Sequence, residues 1–165
     1  MNKNFQYIFG YGSLMNPLSL QKTLPGKTIT REAHLVGYRR KFNVFIPQAN
    51  CLALNILPEK KSVVEGVLIL VSDDDLEYLK KREVGYSCID VTTDIRERVN
   101  GRVFTFIAPK KDYPDVKILK SYLDTCLGGV PRDKRTQWLK ETIIVNKLED
   151  DTEAPRYRNA IPLSK

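Results

Sequence analysis

The sequence predicts an α+β domain built on a mainly antiparallel or barrel-like sheet. Three observations lead there. Most of the patterned segments are strand-like, either alternating or rich in β-branched residues. Most are joined by short turns, and the few helical segments fall among them without regular β-α-β alternation. The chain has 165 residues, 42% of them hydrophobic, which suits one domain with its own core. The expected domain is therefore residues 1–165, with an irregular tail from about residue 149.

The elements follow in order. Phe5, Tyr7, Phe9 and Tyr11 alternate, so a first strand runs from about Phe5 to Tyr11. In "NPLSLQKTL" (16–24), Asn16 is a candidate N-cap and Pro17 suits the first helical position. "HLVGYRRKFNVFI" (34–46) reads as a long strand with a bulge at Gly37. "CLALNIL" (51–57) alternates and "VVEGVLILV" (63–71) is β-branched, so two more strands are expected. In "SDDDLEYLKKREVGY" (72–86), Ser72 and Asp75 form a helix-start pair. Asp73, Asp74 and Asp75 suit the helix N-terminus, and Lys80, Lys81 and Arg82 suit its C-terminus. "CIDVTTDI" (88–95) and "RVFTFIA" (102–108) are strands, joined by a hairpin signal at Asn100-Gly101. "VKILKSYLDTCLGG" (116–129) is a helix with Val116, Leu119, Leu123, Cys126 and Leu127 on one face, stopped by the glycine pair. "RDKRTQWLKE" (132–141) is another helix, and "TIIVNKL" (142–148) a last strand.

Composition excludes several classes. No apolar run approaches the ~20 residues needed to span a bilayer, and the N-terminus lacks the apolar core of a signal peptide. A cytoplasmic protein with no membrane partner is expected. Cys51, Cys88 and Cys126 are widely spaced and odd in number, which reads as reduced, structural thiols. With His34 as the single histidine, a multi-histidine metal site is impossible and no metal is expected. The net charge of +7 comes from dispersed pairs such as "KKR" (80–82) and "RDKR" (132–135), not from a dense patch with interleaved aromatics. A solvated basic surface explains it better than nucleic-acid binding. Nothing in the sequence indicates an oligomeric state.

Two stretches carry chemistry. "FGYGSLM" (9–15) ends the first strand, but Met15 stands where a dinucleotide fingerprint needs its third glycine, and no Gly-Lys-Ser/Thr follows. What remains is a Gly-Ser turn whose amides could meet an anion such as a carboxylate, or an ordinary strand-to-helix turn. In the second stretch, Glu83 lies seven residues after Leu76 and four after Leu79, so it continues that apolar face. A carboxylate placed there is partly desolvated, its pKa rises, and it becomes suited to acid/base work near neutral pH. A surface glutamate at a fraying helix end is the alternative.

Together, "YGSL" at the end of a first strand, the strand "VVEGVLILV", and an acidic-start helix closing in "RE-x-GY" resemble the γ-glutamylcyclotransferase superfamily, including the ChaC-type and AIG2-like proteins. The order matches over roughly residues 5–130. The later "SYLDTCLGGVP" is similar to the family's tyrosine-bearing helix and maps that tyrosine to Tyr122. The resemblance implies a small mixed, mainly antiparallel β-barrel flanked by helices. It also implies cofactor-independent cleavage of a small γ-glutamyl substrate to 5-oxoproline and a free amine. Glu83 would be the acid/base, and Tyr11, Gly12, Ser13, Leu14 and Tyr122 would hold the substrate. Glutathione, γ-glutamyl amino acids and γ-glutamylamines all remain open as substrates. A member of the same fold that binds a metabolite or protein without turnover is the alternative.

Overall fold

The computed structural model describes residues 4–164. Its main sheet has five strands: β1 (Phe5–Gly10), β2 (Ile29–Ile46), β3 (Cys51–Ser72), β4 (Ser87–Asp90) and β5 (Val103–Ile107), in the order β2-β3-β1-β5-β4. β1 is central, antiparallel to β3 and parallel to β5. Both of its faces are covered, so Ile8 and Phe9 are buried side by side instead of alternating in and out. The helices are α1 (Pro17–Thr23), α2 (Asp73–Arg82), α3 (Lys120–Leu127) and α4 (Arg135–Glu141). A second, parallel pair joins β6 (Ile118–Leu119) to β7 (Leu148–Glu149). The sheet is mixed and mainly antiparallel, as expected, but it does not close into a barrel. Edge strand β2 makes one bridge, Leu35 to Ile95, to the connection that follows β4, supported by the Arg96 amide donating to the His34 carbonyl.

Three local signals carry through to the structure. The Asn16 side chain accepts from the Leu18 amide, with Pro17 opening α1. Ser72 and Asp75 form a complete capping box on α2. β2 slips register across Gly37, as a bulge requires.

Five expectations need correction. The two strands at 51–57 and 63–71 are one strand, β3. Its ladder passes from Tyr38↔Pro58 to Val36↔Val63, so the polar residues 59–62 swell outward opposite Gly37 and mimic a turn in the sequence. β4 stops at Asp90 because that side chain accepts from the amide and hydroxyl of Thr92 and pulls the chain into a short 3-10 turn. β4 and β5 do pair, but across a long connection and not a two-residue hairpin at Asn100-Gly101. The expected helix from 116 begins only at Lys120, because the Ile118 amide donates to the Lys147 carbonyl and Leu119 pairs with Glu149. The last strand is Leu148–Glu149 alone; upstream of it Ile143 makes one bridge to Lys41.

Gly128 and Gly129 end α3 as expected, but without a left-handed turn. Gly128 stays in the right-handed helical region. A Cβ on Gly129 would lie 2.4 Å from the Met15 carbonyl carbon and 2.6 Å from the Asn16 amide nitrogen. The glycine therefore lets the end of α3 press directly on the turn that follows β1.

Candidate active site

The site is assembled where β1 runs out. Tyr11 is buried, and its hydroxyl donates to the Phe106 carbonyl on β5 at 2.6 Å. The chain then turns through a 3-10 segment, Ser13–Met15. The carbonyls of this turn are used, Gly12 accepting from the Met15 amide and Ser13 from the Asn16 amide. The amides of Gly12, Ser13 and Leu14 have no protein acceptor among the described residues, as expected for the opening donors of a helical turn. α3, seated through Gly129, brings Tyr122 against this turn, and a Cβ on Gly12 would lie 3.5 Å from the Tyr122 hydroxyl.

β3 supplies the opposite wall. β1 pairs only with the second half of β3, so the stretch around Leu54 lacks a strand on that side. Two phenols take the strand's place. The Leu54 amide donates to the Tyr122 hydroxyl at 3.1 Å, and the Tyr86 hydroxyl donates to the Leu54 carbonyl at 2.8 Å. The buried backbone is satisfied, and both rings are fixed at the cavity wall.

Glu83 arrives from α2. It is the C-cap residue, its amide donating to the Leu79 carbonyl at 2.8 Å. Gly85, two residues on, adopts φ +88°, a left-handed turn that returns Tyr86 toward the site. No hydrogen bond or ion pair holds the Glu83 carboxylate among the described residues. Desolvation raises its pKa, opposed by the charge of Arg82. The phenols of Tyr11, Tyr86 and Tyr122 are pushed well up, chiefly by burial, and so stay neutral. Beneath Tyr122, burial pushes the Cys126 thiol up to about 12, consistent with a packed thiol and not a nucleophile.

The result is one cavity of about 60 Å³ lined by Tyr11, Gly12, Ser13, Leu14, Glu83 and Tyr122, together with Phe9, Gly10, Leu54, Tyr86 and Phe106. The six residues singled out in the sequence are thus brought together. Glu83 is the one carboxylate in the lining, set opposite neutral phenols and a turn with free amides. Such a site can bind a small anionic head and move a proton. His34 lies elsewhere, held to Glu97 at 2.5 Å. No group of three His, Cys, Asp or Glu side chains is placed to hold a metal ion among the described residues.

Sequence reading missed several neighbours. Tyr86 was within reach, since it closes the "RE-x-GY" stretch. Leu54 and Phe106 are mid-strand residues with no distinguishing local pattern. Tyr157, in the tail, packs edge-on against Tyr122 with centroids 4.9 Å apart, and nothing local to it signals that contact.

Residues 8–123 match the family model described as gamma-glutamyl cyclotransferase, AIG2-like. The chain belongs to that family. Similar solved structures include one titled gamma-glutamyl cyclotransferase, at 15% identity and TM-score 0.69, with 91% of this chain and 96% of that chain covered. YkqA from Bacillus subtilis is similar at 23% identity and TM-score 0.71, covering 88% of this chain and 56% of that longer one. At5g39720.1 from Arabidopsis thaliana is similar at 27% identity and TM-score 0.51, with 68% and 74% covered. No curated protein matches the chain. Among the described residues, no helix is long and apolar enough to cross a membrane.

Proposed function

We propose that this protein cleaves a γ-glutamyl compound by cyclising its glutamyl head, releasing 5-oxoproline and a free amine. The observation that carries the reading is Glu83: an unpaired, partly desolvated carboxylate facing a small cavity whose opposite rim is a turn with free amides. Family membership supports the same chemistry.

The substrate's own α-amine is the nucleophile. The ammonium form must first lose a proton, and Glu83 accepts it. The amine then attacks the γ-carbonyl; the lactam C–N bond forms as the bond to the departing amine breaks. Glu83 gives its proton to that amine and takes up the second proton, shed as the attacking nitrogen becomes the lactam N–H. That second proton leaves with the amine as its ammonium form, so no water is consumed and no cofactor is required. Because nucleophile and electrophile share one molecule, the site has mainly to hold the head in a folded, near-attack shape. The Gly12–Leu14 turn is suited to anchoring the α-carboxylate, with Tyr11 and Tyr122 as walls. A positioned acid/base of this kind contributes about 10²–10⁴-fold.

The test is incubation with a panel of glutathione, γ-glutamyl amino acids and γ-glutamylamines, following 5-oxoproline. Release from at least one compound is expected. Saturable binding with no 5-oxoproline from any of them would replace this reading with that of a non-catalytic binder.

A further inference from the structure

The tail after β7 is irregular, yet it is tied down at both ends to one face of α3. At its start, buried Asp151 accepts from the Ser121 amide at 2.8 Å and from the Ser121 hydroxyl at 2.6 Å, and also from the Arg156 amide at 2.9 Å. Further on, the Ile161 amide donates to the Thr125 hydroxyl at 2.9 Å. Ser121 and Thr125 flank Tyr122 on the same helix. Between the two ties the chain lays Tyr157 across Tyr122, rings 89° apart, in an edge-to-face contact. The Ala160 amide, donating to the Tyr157 carbonyl, closes the turn that holds it.

We propose that this strap makes Tyr157 a specificity-determining residue, a wall at the cavity mouth on the side taken by the departing amine, which disfavours bulky amines. The inference rests on the cyclotransferase reading for what occupies the cavity. Tyr157 is half-buried and stands outside the cavity lining, against Tyr122, which belongs to it. Burial pushes its phenol up to about 12; the Ser13 side chain beside it opposes that rise and the Glu83 charge adds to it. Its ring thus borders the cavity lining at Tyr122 and Ser13, within range of the Glu83 charge. A cavity of about 60 Å³ is too small to enclose a whole γ-glutamyl compound, so part of the substrate must lie outside it. The strap also lies beyond residues 8–123, the part matched by the family model.

The experiment compares kcat/KM for γ-glutamyl-alanine and γ-glutamyl-p-nitroanilide, which share the head and differ in the amine, in the parent and in Tyr157→Ala, Tyr157→Trp and Tyr157→Phe. Melting temperatures are read on the same preparations. The bulky-to-small ratio should rise at least ~10-fold in Tyr157→Ala, the scale on which a pocket wall discriminates. It should fall in Tyr157→Trp and hold in Tyr157→Phe. If Tyr157→Ala does not fold, the fall in Tyr157→Trp carries the test. Equal losses on both substrates would leave Tyr157 as mere support for Tyr122 and overturn the proposal while the activity stands. Should the parent release no 5-oxoproline, the same ratio is read from dissociation constants by calorimetry. A shifted ratio then keeps the wall and removes the turnover; if neither probe binds, both readings fall.

Discussion

In the proposed mechanism, Glu83 trades stability for chemistry. Its folded-state pKa is raised by desolvation, so the folded protein holds the proton more tightly than the unfolded chain does. Its contribution to stability is therefore fully present below the unfolded value of about 4.3 and is lost as pH rises through the folded value. At neutral pH the ionised side chain is a burden that glutamine would not carry. Glu83→Gln should lower kcat at least ~10²-fold, yet melt no lower than the parent at pH 7. Any gain in melting temperature should vanish in acid, where both states of the parent are protonated. Thermal melts across pH, beside 5-oxoproline assays, check both halves; near-parental turnover in a folded variant would remove Glu83 from the mechanism. Gly12 offers a complementary case. A methyl there meets Leu54 and the Tyr122 hydroxyl at 3.5 Å, ordinary contact distances, but it occupies space beside the turn amides. Gly12→Ala should keep the melting temperature close to that of the parent and raise KM at least ~10-fold. An unchanged KM would place the glutamyl head away from this turn.

At the scale of elements, the site depends on how closely α3 approaches the turn after β1. That approach is possible because Gly129 has no side chain where the Met15 and Asn16 backbone passes. Gly129→Ala forces a separation, since the clash is with backbone and not with a movable side-chain end. A loss of about 1–3 kcal/mol is expected, the usual range for overpacking a buried contact. Tyr122 would move with α3, so activity should fall further than stability alone explains. Denaturant melts and kinetics on one preparation separate the two; unchanged values in both would mean that the elements slide apart freely. The glycine pair was legible in the sequence as a helix stop, but its actual job was not. A left-handed cap and a close backbone approach both call for glycine, and only the position of Met15 tells them apart.

For the whole molecule, a buried carboxylate makes one of the two ties between the tail and α3. Burial alone would raise the pKa of Asp151, but hydrogen bonds from Ser121 and Arg156 outweigh it and hold the value below that of an ordinary aspartate. The sign is the reverse of Glu83. The stabilisation is present above the unfolded pKa of about 3.9 and is lost as pH falls through the folded value. Asp151→Asn should therefore destabilise the protein near neutrality and narrow its difference from the parent below pH ~4. Proteolysis of residues 150–164 should also speed up in the variant, read by mass spectrometry. A variant cut no faster than the parent would mean that other contacts hold the strap.

The chain's local chemistry determined what local chemistry can. Capping at Asn16 and Ser72, the bulge at Gly37 and the strand character of the segments feeding the sheet depend on neighbours a few residues away, so they were visible in the sequence. The residues of "YGSL" and Glu83 were legible through resemblance and through the helical spacing from Leu76 and Leu79. Only the tertiary structure decided the rest. β3 is continuous because β2 pairs with it on both sides of a polar swelling, and the start of α3 was claimed by pairing with the distant β7. The sheet stays open because β2 touches only the connection after β4, through one bridge and not a ladder. Tyr86 and Tyr122 converge on Leu54 because that part of β3 has no strand on the side away from β2, and Tyr157 reaches Tyr122 because Asp151 and Thr125 tie down a tail with no pattern of its own. Each of these results comes from satisfying backbone groups and filling space across long sequence separations, a requirement that no window of neighbouring residues contains.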